Sequence, residues 1–104
     1  MHIEINLGEG VQHSETLDGF IHRKLGPVER RFGDRLTRIE VFFKDVNGGK
    51  GGIDKACTME ARPAGIDPVA VEAQDEDPYK AAKQAADKLD RALEHRTARA
   101  DRRG

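Results

Sequence analysis

Residues 71–93 read VEAQDEDPYKAAKQAADKLDRAL, and the change of period inside this stretch decides the fold. Val71 and Ala73 alternate with Glu72 and Gln74, the period of two that belongs to a strand with one buried face. From Tyr79 onward the apolar residues Tyr79, Ala82, Ala86, Leu89 and Leu93 recur at steps of three and four, the stripe of a helix packed on a sheet. The junction has a mechanism. Pro78 suits the first helical position, whose N–H needs no partner within the helix, and Asp75, Glu76 and Asp77 favour the positive end of the helix dipole. The remaining faces of the helix carry Lys80, Lys83, Lys88 and Arg91, so clustered positive charge rides on a rigid element.

Working back along the chain, the alternation continues. Val69, Val71 and Ala73 form the inner face of one strand, and Cys57, Met59 and Ala61 point opposite to Thr58, Glu60 and Arg62 in the strand before it. Pro63-Ala64-Gly65 turns the chain between them. Ile39, Val41 and Phe43 alternate with Arg38, Glu40 and Phe42, and the glycine-rich run from Asp45 to Gly52 reads as a hairpin connection. Ile3, Ile5 and Leu7 form a further strand ended by Gly8 and Gly10.

Between residues 15 and 32, Leu17, Phe20 or Ile21, Leu25, Val28 and Phe32 trace a helical stripe. Ser14 stands at its start as an N-cap and Gly33-Asp34 at its stop. Pro27 cannot donate to the preceding turn, and its ring opposes the carbonyl four residues back, so a break is expected at Gly26-Pro27. The stripe keeps its phase across the break, which reads as one bent helix or two short ones in line.

The order βαβββα requires an α+β architecture: a four-stranded sheet with two helices packed on one face. The expected core is Ile3, Ile5, Leu17, Phe20, Val28, Ile39, Val41, Met59, Val71, Ala82, Leu89 and Leu93. Residues 1–94 form a single domain in this reading, since 104 residues sustain one modest core, and residues 95–104 form a basic, frayed tail.

Charge is segregated. The formal net charge is −1, yet residues 1–40, 41–78 and 79–104 carry −1, −4 and +4 respectively. A nucleic acid would meet a basic face, not a basic protein. Cys57 is the sole cysteine, which excludes an intramolecular disulfide and a CxxC pair. The opening MHIEINLGEG is not a signal peptide, and no run of apolar residues is long enough to span a bilayer. A soluble, cytoplasmic chain without membrane contact is expected.

Catalytic chemistry needs convergent groups of tuned acidity, and no such set is present. Cys57 falls on the inward register of a strand, where a thiol acts as a small hydrophobe. His2, His13, His22 and His95 are scattered without ligand spacing. The run from Gly48 to Gly52 lacks the spacing and the GKS or GKT ending of a phosphate cradle. Asp75, Glu76 and Asp77 serve as a helix start. The sequence therefore reads as a non-enzyme, with no cofactor, metal or small-molecule substrate.

The basic clusters are what remains. Arg23, Lys24, Arg30, Arg31, Arg35 and Arg38 surround the first helix, and Lys80, Lys83, Lys88 and Arg91 line the second. Helices on one side of one sheet bring both clusters to one surface that could track a phosphate backbone. The competing reading is a salt-bridged surface, because Glu29, Asp87, Asp90 and Glu94 are available as partners.

On these residues the chain resembles the short ribosome hibernation-promoting factors, also described as sigma-54 modulation or ribosome-associated inhibitor proteins. HIEINLG is similar to that family's opening strand, Leu17 to Phe32 to its first helix, and LTRIEVFFKD to its second strand. VEAQDEDPYKAAKQAADKLDRALEHRTAR resembles its closing strand, acidic turn, aromatic residue and basic helix.

The resemblance implies the βαβββα fold and binding to the 30S ribosomal subunit and its rRNA, in the channel where mRNA and tRNA would lie, so that translation is inhibited under stress. By the same resemblance Arg23, Lys24, Arg30, Arg31, Lys80, Lys83, Lys88 and Arg91 meet rRNA, with Arg96 and Arg99 extending the stripe. The C-terminal dimerisation domain of longer family members is absent from this sequence, so ribosome pairing through it is not expected. The alternatives are a double-stranded-RNA-binding module, whose αβββα core also ends in a lysine-bearing helix, and a stress-related protein-interaction adaptor that does not bind ribosomes.

Overall fold

Alternation of apolar and polar residues sets the four strands, and the computed structural model, which describes residues 2–8, 11–46 and 55–103 with side chains through Thr97, shows how far each extends. The strands are β1 (His2–Leu7), β2 (Leu36–Asp45), β3 (Lys55–Pro63) and β4 (Val69–Asp75). The helices are α1 (Glu15–Lys24), α2 (Gly26–Phe32) and α3 (Pro78–Arg103), with a short 3-10 turn at Gly33–Arg35 before β2. The sheet order is β1-β2-β3-β4, with β1 parallel to β2 and the other pairs antiparallel. Most of the hairpin between β2 and β3, residues 47–54, lies outside the described residues.

Register explains why one face is apolar. Ile3 pairs with Ile39, Ile39 with Ala61, and Ala61 with Val69; Ile5, Val41, Met59 and Val71 form the next row. Leu7, Phe43, Cys57 and Ala73 form the third. These rows meet Leu17, Ile21, Leu25, Val28 and Phe32 from α1 and α2, and Ala81, Ala82, Ala85, Ala86, Leu89 and Leu93 from α3. Ile3, Ile5 and Val71 are only half-buried, because β1 and β4 are the sheet's edges. Phe20 is also half-buried, and its neighbour Ile21, with no exposed surface, takes the core position.

The break at Gly26-Pro27 leaves two helices in line. The amide of Leu25 donates to the Ile21 carbonyl at 3.0 Å, and that of Glu29 donates to the Leu25 carbonyl at 2.9 Å, so helical bonding runs on either side of the single interruption. Ser14 caps α1 through its hydroxyl, which accepts the Leu17 amide at 3.3 Å. Gly8 is needed for close approach: its amide donates to the Phe43 carbonyl at 2.7 Å, and an added Cβ would lie 2.9 Å from that oxygen. Gly65 sits at φ +81° in the turn between β3 and β4, a conformation that only glycine adopts without strain.

The C-terminal segment differs from expectation. The helix does not end near Glu94 in a frayed tail but continues as far as Arg103. Thr97 lies on its buried side, and its hydroxyl donates to the Leu93 carbonyl at 2.8 Å, so a polar residue continues the packed face without an unsatisfied group.

Candidate nucleic-acid interface

Two helical rods lie side by side on the same face of the sheet. Phe20 of α1 meets Tyr79 of α3 edge-on, with ring centroids 5.1 Å apart and planes at 79°. Eleven residues further along each rod, Arg31 of α2 meets Asp90 of α3. Equal steps mean that the rods run parallel and in register, for about 16 Å at ~1.5 Å rise per residue. The start of α3 is anchored by side chains. The Asp77 carboxylate accepts the Tyr79 amide at 2.8 Å as an N-cap, while Asp75 accepts the Asp77 amide and the Gln84 side chain, each at 3.0 Å. The Asp77 hydrogen bond foremost, with help from Gln84 and the charge of Lys80, holds the Asp75 pKa below its ordinary value.

The cations on this surface divide into two groups. Arg31 is engaged: Nη1 reaches both Asp90 carboxylate oxygens at 2.9 and 3.0 Å, and Nη2 lies 3.4 Å from Glu94. Lys83 pairs with Asp87 at 3.0 Å. Lys88 bends back to the sheet and donates to the Glu72 carbonyl at 2.8 Å. Lys24 holds its ammonium 5.2 Å from the centre of the Phe20 ring. Arg23, Arg30, Lys80 and Arg91 are exposed and have no ion-pair partner among the described residues.

Helical spacing places the unpaired four. Lys80 and Arg91 are eleven residues apart on uninterrupted α3 and so stay within about 20° of one another, while Arg23 and Arg30 stand on α1 and α2, on either side of the break. Arg96 leaves the stripe, since five residues beyond Arg91 is a rotation of about 140°, and it is half-buried. Arg99 lies on the backbone of α3, with its side chain outside the described residues. The surface thus combines both sequence readings: free cations on the crests, and ion pairs from Arg31 and Lys83 in and beside the valley. Sequence reasoning named the acids as available partners but did not pair Arg31 with Asp90 or Phe20 with Tyr79; the common eleven-residue step was the available signal.

Other chemistry is sparse. Cys57 has no exposed surface, and burial first, then the charge of Glu72, pushes its pKa up to about 12. Among the described residues no His, Cys, Asp and Glu group could hold a metal ion, and no helix is long and apolar enough to cross a membrane.

The family model described as sigma 54 modulation protein / S30EA ribosomal protein matches residues 5–101. The chain belongs to this family of ribosome-associated proteins. Its fold is also that of a ribosomal subunit interface protein from Coxiella burnetii, at 24% identity and a TM-score of 0.77, over 94% of this chain and 99% of that one. The N-terminal domain of Protein Y from Thermus thermophilus is similar at 23% identity and a TM-score of 0.69, over 86% of this chain and 92% of that one. Comparison with curated proteins returned no match. The β1-to-β2 parallel pairing and the paired rods are therefore features of a shared fold, on which this family member places its own charges.

Proposed function

We propose that this protein binds the small ribosomal subunit through the outer surface of α1, α2 and α3, lying against rRNA phosphates in the channel that mRNA and tRNA use, and so inhibits translation under stress. The observation that carries this reading is the presentation of Arg23, Arg30, Lys80 and Arg91, exposed and unpaired, on two parallel rods of a chain in this family. The action is occupancy rather than catalysis: cations replace the counterions of the phosphates, and the bound domain fills space that a message would need. Residues 1–94 supply the binding unit, and the basic continuation of α3 lies beyond it. The site of action is then the cytoplasm.

Sedimentation with purified 30S subunits at graded salt tests this. About four phosphate contacts give a log–log slope near −3, a loss of about 60-fold in affinity between 50 and 200 mM salt. Combined reversal of Arg23, Arg30, Lys80 and Arg91 to Glu should abolish binding at physiological salt. Reversing the exposed Lys44, on the opposite face of the sheet, should not. Folding should survive both changes, since exposed charges contribute little stability. A folded quadruple variant that sediments like wild type would remove the helices as the docking surface and favour the adaptor reading.

A further inference from the structure

We propose that the rim between α1 and the start of α3, built by Phe20, Tyr79 and Lys24, takes an unstacked nucleobase of single-stranded RNA. This rests on the phosphate-binding reading of the same helices and adds a base contact to it. Phe20 and Tyr79 are both half-buried, unlike Phe32 and Phe43, which are buried in the core. Ile21 and Ala82 beside them fill the inner positions, so the two rings stand where the core meets solvent. The Tyr79 hydroxyl has no hydrogen-bond partner among the described residues. What lies over the Phe20 ring is the Lys24 ammonium, 5.2 Å from its centre, a charged head group in place of an apolar side chain.

Cations flank the rings on the side away from the acidic turn that precedes Tyr79 in sequence. Lys80 follows Tyr79 directly, Lys83 is one turn beyond it, and Arg23 is within one turn of Phe20. An incoming base can displace Lys24 from the ring, exchanging a weak exposed cation–π contact for stacking, and the released ammonium is then free to meet the adjoining phosphate. Every base has a π-face, so the site would accept single-stranded RNA with little preference for sequence.

Tyr79 is the sole tyrosine and the chain has no tryptophan, so its emission reports on this position alone. The full chain is titrated at low salt with a labelled single-stranded oligoadenylate and with an abasic ribose-phosphate oligomer of equal length and charge. Both should bind through their phosphates. The base-bearing oligomer should bind at least about fivefold more tightly, and it alone should quench Tyr79. Phe20→Leu retains an apolar side chain without a ring, and should erase that difference, with the abasic affinity unchanged or raised because Lys24 is released from the ring. Equal affinities with unchanged emission in the wild-type chain would overturn the base site and leave the phosphate surface standing. Failure of both oligomers to bind while 30S still sediments with the protein would overturn the base site alone, and failure of the oligomers and of 30S together would bring down both readings.

Discussion

Replacing Asp87 and Asp90 by asparagine should strengthen RNA binding, although neither residue is basic. The two carboxylates hold Lys83 and Arg31 in ion pairs on the surface that carries the unpaired cations. Asparagine keeps the side-chain shape and removes the charge, so Lys83 is released and Arg31 keeps only its longer 3.4 Å contact to Glu94, which a phosphate can displace. Each added phosphate contact steepens the dependence of log K on log salt by about 0.7–0.9. Two contacts therefore change the slope by about 1.4–1.8, which near 0.1 M salt corresponds to roughly 30-fold tighter binding relative to a 1 M reference.

The cost in stability is small. The Lys83–Asp87 pair is more than half exposed at both side chains, and the Arg31 and Asp90 side chains are 43% and 27% exposed. Such pairs contribute about 0.2–1 kcal/mol each. The assay is 30S sedimentation or anisotropy with an RNA fragment, repeated from 50 to 300 mM salt and accompanied by urea unfolding. Unchanged slope and affinity in the folded double variant would mean that Arg31 and Lys83 face no phosphate. The valley would then be a structural seam between the rods and not part of the interface.

Further outcomes follow from the core and from backbone geometry. Leu89 has no exposed surface in the centre of α3, so Leu89→Ala should cost ~2–5 kcal/mol in urea unfolding; a loss under ~0.5 kcal/mol would mean a surface position. Gly8→Ala should lower the melting temperature because its Cβ would meet the Phe43 carbonyl oxygen at 2.9 Å, whereas Gly33→Ala, with open space and helical φ, should be neutral or stabilising by up to ~1 kcal/mol. Cys57 should resist thiol reagents at pH 8 until the protein unfolds. Because its folded pKa lies above the ordinary 9.0, the stability linked to the neutral thiol is complete below pH 9 and is lost as pH rises towards about 12, a decline that Cys57→Ala should reduce in alkaline unfolding curves.

Much of this fold is written in local periodicity. Ile3, Ile39, Ala61 and Val69 fall in one row because each was already the inward residue of its own strand, and no pairing partner had to be known to find it. Pro27 likewise announced the gap between α1 and α2 from its missing N–H. Phe20 and Ile21 could not be separated in the same way. Adjacent helical residues differ by about 100°, both fit the stripe, and only the position of α3 turns Phe20 towards Tyr79. Arg31 and Asp90 are 59 residues apart, so their pairing exists only after the rods are aligned. The apolar stripe stops at Leu93, and Thr97 on the same buried side goes unread, because a hydroxyl satisfied by its own helix is invisible to a hydrophobicity pattern.

A net charge of −1 opposes phosphate binding on average, but the distances involved decide otherwise. The outward face of the sheet carries Glu4, Glu40, Glu60 and Glu72, in register with one another or one row apart. Arg38 pairs with Glu40, and Arg62 lies against Glu60. These acids are separated from Arg23, Arg30, Lys80 and Arg91 by the sheet and by a helix layer about 10 Å thick, more than the Debye length of about 8 Å at physiological ionic strength. A phosphate approaching the helices therefore responds chiefly to the nearest free cations and to Asp87, Asp90 and Glu94 among them. The acids that matter for affinity are those on the helical side, Asp87, Asp90 and Glu94 on α3 and Asp75 and Asp77 beside Lys80, not the acids on the far side of the sheet. Overall charge can drift towards neutrality on the sheet face while the helical surface keeps its electrostatics, provided the carboxylates on α3 remain paired to their own cations.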